Sequence, residues 1–343
     1  MSKTSDMVID LHEDVANYHM TEAGPENDFS KDIAGRQADF PKYRRGGVAI
    51  VVASLFPLIR TWNPQLQAHL TAGYGTFSAA QIAKGSMAIA LEQMKIYYQM
   101  SKVFADSFRI IQHGIDLEES VKTQRLGFLI CLEGCEALED VSDLELLYRL
   151  GVRAVGLTWN FDTRFAASCM SKKDYGLTGE GERLVEEANE IGVIIDLAHS
   201  SKTTMLDAIA ASKRPVMISH ANYSQVHAHT RNVNDDVLEP LSQNGGVIGF
   251  TLINDTISPK PGLDNLAKHI ISVRERFGSD ILAIGTDYLG ISHTPTGLED
   301  ITKLKELFAK LAALGMKDDE IRQLAWQNAY RMIEQNAQRW TRD

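Results

Sequence analysis

Glu190-Ile191-Gly192-Val193-Ile194-Ile195-Asp196-Leu197-Ala198-His199 holds one unit of the chain's architecture. A helical pattern ends at Gly192, the residue type that takes the left-handed conformation closing a helix. A run rich in Val and Ile without strict alternation follows, the pattern of a parallel strand buried on both faces. A histidine stands just past its end. The same punctuation recurs at Arg149-Leu150-Gly151, Gln243-Asn244-Gly245 and Arg276-Phe277-Gly278. Eight compact apolar runs can be read: Met7–His12, Gly47–Phe56, Leu126–Leu132, Val152–Thr158, Val193–Ala198, Pro215–Ser219, Gly246–Leu252 and Ile281–Gly285. Helical patterns lie between them, and repeated strand–helix alternation argues a parallel sheet. Eight such units predict an α/β fold, a single closed (β/α)8 TIM-like barrel.

The barrel carries additions. Ile59 to Phe77 reads as a long loop after the second strand, with Trp62, Pro64, Gly73, Tyr74 and Gly75, and long loops in compact domains often serve binding. Ser78 to Gln112 reads as a long helical region whose positions Ile89, Met94, Tyr97, Val103, Phe104 and Phe108 have helical spacing and a core-packing role. Two helices are expected near the end, at Asp300–Leu314 and Asp318–Gln335, so the C-terminal helices span about 300–335. With no repeat or linker in view, residues 1–343 read as one domain, with a flexible start at 1–6.

A net charge of −10 with no long basic run excludes a nucleic-acid partner. Cys131, Cys135 and Cys169 are odd in number with no Cys-x-x-Cys spacing, and read as free thiols of a reducing compartment. Met1–Asp6 lacks a signal-peptide layout, no run of about 18 apolar residues occurs, and Gln338–Asp343 is not a lipid-anchoring tail. No membrane span and a cytoplasmic location are therefore the default expectation.

In such a barrel, chemistry sits at the C-terminal ends of the strands. The first run ends in His12-Glu13-Asp14, where residues two apart in a strand share a face. The third ends in Leu132-Glu133-Gly134, the fourth in Leu157-Thr158-Trp159-Asn160, the fifth at His199, the sixth at Ser219-His220 and the eighth at Thr286-Asp287. Each residue alone has a dull explanation: a satisfied core histidine, a helix-capping glutamate, a turn aspartate. Chance has no reason to favour strand ends so often. Imidazoles and carboxylates on one rim suit zinc with open positions for water. Glu133 has two oxygens, enough to bridge two ions. A pair of ions about 3.5–4 Å apart lowers the pKa of a shared water and polarises a carbonyl. Asp287 is then suited to move a proton from that water to a leaving amine.

The order His-x-Asp, Glu, His, His, Asp on successive strands resembles the amidohydrolase superfamily. Glu133-Gly134, Leu157-Thr158, His199-Ser200, Ser219-His220-Ala221-Asn222 and Arg231-Asn232-Val233-x-Asp235-Asp236 narrow the resemblance to the membrane (renal) dipeptidase family, peptidase family M19, from Asp10 to about Glu334. The resemblance implies a zinc-dependent dipeptidase with two Zn2+ per chain. His12 and Asp14 would bind the first ion, Glu133 would bridge, His199 and His220 would bind the second, and Asp287 would be the general acid/base. Arg231 would hold the free carboxylate of a small dipeptide, including one with a C-terminal D-residue, through its planar fork of donors. A homodimer rests on the family pattern alone.

Two positions depart from that pattern. Family members carry a histidine after the Leu-Thr of the fourth strand, placed to steady the oxyanion. Trp159 stands there, followed by Asn160, and indole donates one hydrogen bond without a charge. Trp159 and Asn160 are thus candidate substrate-binding residues. Leu289 replaces an acidic residue common in relatives. His227 and His229 read as loop residues. Two other functions stay open: a related amidohydrolase acting on another amide or a lactone, and a non-catalytic metal-binding barrel.

Overall fold

The computed structural model describes residues 7–21, 28–57, 85–123 and 125–340. Among them run nine parallel strands: β1 Val8–Glu13, β2 Val48–Leu55, β3 Phe108–Ile110, β4 Leu126–Leu132, β5 Val152–Gly156, β6 Ile194–Asp196, β7 Met217–Ala221, β8 Val247–Phe250 and β9 Leu282–Ile284. Their order is β2-β1-β9-β8-β7-β6-β5-β4-β3, and a direct β2–β4 pairing closes eight of them into a ring. The predicted barrel is therefore present, with helices around it. The expected flexible 1–6 segment and the loop Ile59–Phe77 lie outside the described residues.

The region 78–112 needs correction. The described helix is Ser86–Val103, and the chain then turns into the ninth strand, β3. Val103 is 72% exposed and lies off the core, whereas Phe104 packs on Phe40 with ring centroids 5.2 Å apart. Phe108 instead packs on Phe128 and Phe40, with ring centroids 4.7 and 5.5 Å apart. An aromatic and β-branched Phe-Arg-Ile-Ile stretch favours such extended backbone. β3 pairs with the first half of one β4 edge, at Leu126–Phe128, and β5 takes the second half from Ile130. β3 is an addition beside the ring, not a member of it.

The barrel interior is filled by Ile9, Leu11, Ile50, Leu129, Ile194 and Met217, and the C-terminal helix adds Met332 and Ile333 to the same cluster, with Trp340 just beyond its end. That helix runs Asn328–Ala337 and is entered from Asp318–Arg322 through a π turn at Gln323–Gln327, which replaces the single helix expected over 318–335. A π turn lets one extra residue into the helix, and here it is followed by Asn328, whose amide donates to Ser279 O (2.7 Å) and Leu282 O (2.9 Å) at the start of β9. The other expected helix begins at Leu304 after a 3-10 turn at Ile301–Lys303.

Two seams of the ring are thin. β1 meets β9 through one register pair, Asp10↔Ile284, and β6 meets β7 through one, Asp196↔Met217. The same two aspartates cross those seams with their side chains. Asp10 accepts from Thr286 N (2.9 Å), Thr286 Oγ1 (2.6 Å) and His12 N (3.2 Å). Asp196 accepts from Ser219 N (2.9 Å), Ser219 Oγ (2.5 Å) and Ala198 N (3.0 Å). Each buried carboxylate thus adds three bonds at its seam, two of them across it, beside the backbone bonds from Asp287 N to His12 O (3.0 Å) and from Leu197 N to Met217 O (2.8 Å). Next to the second clamp the backbones are close: a Cβ on Gly249 or Gly285 would lie 1.9 or 1.7 Å from Ser219 O, so only glycine fits there.

Removing one donor while keeping shape tests the clamp. Thr286→Val leaves Asp10 Oδ2 without its hydroxyl partner and is expected to cost about 1–3 kcal/mol. Urea unfolding of the metal-free protein measures this, and an unchanged midpoint would show that the seam does not depend on the clamp.

Candidate metal centre

The ring delivers the predicted residues to one rim. His12 is in β1 and Asp14 just beyond it, Glu133 follows β4, His199 follows β6, His220 is in β7 and Asp287 follows β9. All are buried, none above 6% exposed, and buried charge at that density needs partners. His199 and Asp287 leave their strands with φ of 65°, a left-handed turn that L-residues adopt only at a cost. Leu289, at φ 68°, holds the next turn, and its N–H donates to Gln37 Oε1 (2.6 Å).

Glu133 lies between two groups. Its Oε2 is 3.3 Å from His12 Nε2, while its Oε1 is 3.3 Å from His199 Nε2 and 3.7 Å from His220 Nε2. On the first side, His12 Nε2 is 3.8 Å from Asp14 Oδ2 and 3.7 Å from Asp287 Oδ1. Ser54 Oγ donates to Asp14 and holds that carboxylate. Gly290 makes room: a Cβ there would lie 2.1 Å from Asp14 Oδ2 and 2.7 Å from Asp287 Oδ1. His12, Asp14 and Asp287 bring ligand atoms within 4.8 Å of one another, as do His12, Glu133 and His220.

The second side tests whether a metal fits. His199 Nε2 and His220 Nε2 face each other at 3.0 Å. Arg231 Nη2, a donor only, is 3.0 Å from His199 Nε2, so that nitrogen presents its lone pair. Ser219 Oγ donates to Asp196 and therefore accepts from His220 Nδ1 (2.8 Å), which leaves a lone pair on His220 Nε2 as well. Two lone pairs and a carboxylate oxygen thus converge. Two atoms each about 2.0–2.1 Å from a tetrahedral ion stand about 3.3 Å apart, which matches this spacing. The donor set is also right for zinc.

The electrostatics agree. Burial, with Arg231 and His12 nearby, pushes His199 and His220 well below the ordinary histidine range, into the neutral form that ligates metals. Burial opposes charge on His12, but Glu133 and Asp14 outweigh it and hold the imidazole well above its usual range. Burial raises Glu133 and, strongly, Asp287, against the pull of His12. The His12 side therefore retains protons, the cations that compete with a metal for such ligands.

The other expected residues lie close by. Arg231 is buried, with Nη2 also 3.3 Å from His220 O, and its Nε and Nη1 have no partner among the described residues. His229 Nδ1 accepts from Arg231 N (3.1 Å), and His227 Nε2 lies 3.1 Å from Asp255 O. The Trp159 ring packs among Phe56, Phe161 and His199, at 5.0, 5.5 and 5.7 Å. Asn160 Oδ1 is turned to His199 Nδ1 at 2.8 Å. Sequence reading overlooked the clamps Asp10, Asp196, Ser219 and Thr286, and also Ser54 and Gly290. An aspartate inside an apolar strand run was the available signal for the first two. Nothing local marks Gly290, because its need is set by Asp14, far away in the chain.

Solved structures share this fold. A metallo peptidase from Rhodobacter sphaeroides, liganded with a phosphinate mimic of the dipeptide L-Ala-D-Ala, has a TM-score of 0.83 at 23% identity over 96% of this chain and 99% of its own. The probable dipeptidase PvdM from Pseudomonas aeruginosa has a TM-score of 0.79 at 19% identity over 91% of this chain and 92% of its own. In sequence, the chain is 32% identical to Dipeptidase verJ of Clonostachys rogersoniana over 253 residues, 73% of this chain but 65% of that protein, just under two thirds of its length. The model of the membrane dipeptidase family (peptidase family M19) matches residues 3–342, and the chain belongs to that family.

Proposed function

We propose that this chain is a zinc-dependent dipeptidase, with two Zn2+ held by His12, Asp14, Glu133, His199 and His220, acting on small dipeptides that include those ending in a D-residue. The observation that carries the reading is Glu133 set between two groups of converging ligand atoms, next to a buried arginine with donors unpartnered among the described residues. Family membership and the dipeptide mimic seated in a protein of the same fold lend it support. The three cysteines are unpaired, which suits a reducing, cytoplasmic setting.

When bound, the metal pair would supply an acidified water and a polarised carbonyl. The chain's own residues supply the rest. Arg231 binds and orients the substrate: a buried guanidinium with Nε and Nη1 unpartnered among the described residues is a site for a carboxylate, and a free C-terminus placed there sets the scissile bond at a fixed distance from the rim. Asp287 moves the proton. It takes it from the attacking water and delivers it to the departing amine, from a position 3.7 Å from His12 Nε2 on the same rim. Trp159, Phe56 and Phe161 form an apolar wall that excludes water from the His199 side.

Three outcomes test these roles. Zinc-loaded protein is expected to hydrolyse members of a panel of L-L and L-D dipeptides, and a chelator to stop it. Absence of cleavage with two metals bound would point to another amide or ester substrate. Asp287→Asn is expected to keep its metals by elemental analysis and lose on the order of 10²–10⁴ in kcat. Full turnover would remove Asp287 from the chemistry. Arg231→Leu is expected to raise KM for free dipeptides far more than for the same dipeptides with an amidated C-terminus. An equal effect on both would show that Arg231 does not read the carboxylate.

A further inference from the structure

The contact between Asn160 and His199 goes past this reading while resting on it. Asn160 follows β5 and His199 follows β6, two neighbouring strands of the ring. Their side chains meet at 2.8 Å, Asn160 Oδ1 to His199 Nδ1. The direction of that bond follows from the opposite side of the ring. His199 Nε2 is 3.0 Å from Arg231 Nη2, which can only donate, so Nε2 carries no proton and the neutral imidazole must carry it on Nδ1. The Asn160 amide therefore presents its oxygen. An amide turned the other way would set N–H against N–H.

We propose that Asn160 is a positioning residue: its amide oxygen accepts the Nδ1 proton of His199, which fixes the tautomer and aims the Nε2 lone pair at the metal position shared with His220 and Glu133. This role differs from the substrate contact expected of it from sequence. It places Asn160 behind the ligand rather than in front of the substrate. His220 has its counterpart in Ser219, which accepts from Nδ1 and is itself held by Asp196. Each histidine on this side is thus held through Nδ1 by a different kind of oxygen. The Trp159 ring, 5.7 Å from the His199 ring, keeps that side dry, and a hydrogen bond in a low-dielectric setting is strengthened.

Outer-shell partners of a ligating histidine change metal affinity by about 10–100-fold. The test is zinc content per chain across a graded chelator series, for wild type, Asn160→Leu and Asn160→Asp, with thermal unfolding of the metal-free proteins alongside. Asn160→Leu is expected to lose one of its two ions at a chelator activity about 10–100-fold lower than wild type, with unchanged metal-free unfolding. Asn160→Asp, which keeps an acceptor oxygen, is expected to hold both. Nitrogen NMR of the metal-free histidines is expected to show Nδ1 of His199 protonated in wild type and mixed in Asn160→Leu. The proposal is overturned if Asn160→Leu holds both ions like wild type and loses kcat instead, which would return Asn160 to the substrate. It is also overturned if Asn160→Asp loses the ion too, or if both ions and metal-free stability fall together. A wild type that binds no zinc would refute the metallo-dipeptidase reading itself.

Discussion

Eight strand ends can share one rim only if the ring stays closed, and the ring is thinnest where the rim is most charged. The β1–β9 seam carries His12, Asp14 and Asp287, while the β6–β7 seam carries His199 and His220. Under each lies one buried aspartate that binds the next strand's backbone N–H and hydroxyl, Asp10 to Thr286 and Asp196 to Ser219. A long β ladder there would hold the seam, but it would also fix the backbone as regular strand where side chains must swing inward. A side-chain clamp holds the two strands together and lets the chain turn immediately afterwards. It does so at His199 and Asp287, both at φ 65°.

That arrangement concentrates cost. Three left-handed non-glycine residues, several buried carboxylates and three facing imidazoles crowd one rim, and each alone is unfavourable. What offsets them is the rest of the barrel: an apolar interior plugged by Met332, Ile333 and Trp340, and a shell of buried aliphatic side chains between strands and helices. The strain is thus confined to the rim and the stability to the body. Ring closure links the two, since Asp10 and Asp196 belong to the strands and yet bond to the residues next to the ligands.

Most of this was legible in sequence because the signals are local. Glycine-ended helices followed by Val- and Ile-rich runs mark the strands, and a titratable residue directly after a run marks the rim. What escaped detection depends on distant partners. Phe108-Arg109-Ile110 reads as helix by its spacing from Phe104 and is made a strand by the free lower edge of β4 and by Phe128 and Phe40. Gly290 is ordinary until Asp14 is placed beside it. The π turn at Gln323–Gln327 breaks a helical pattern that has no break of its own, just ahead of Asn328 and its bonds to both ends of the β9 entry.

Trp159 and Asn160 stand side by side in the chain and both face His199. Trp159 sets an apolar ring beside it, packed on Phe56 and Phe161. Water then has less access to His199, and an imidazole N–H in a dry pocket needs a protein acceptor in place of solvent. Asn160 Oδ1 stands at that position. The two residues thus act on one imidazole: the ring packs beside it, and the amide faces Nδ1 with an oxygen that, unlike water, holds one direction.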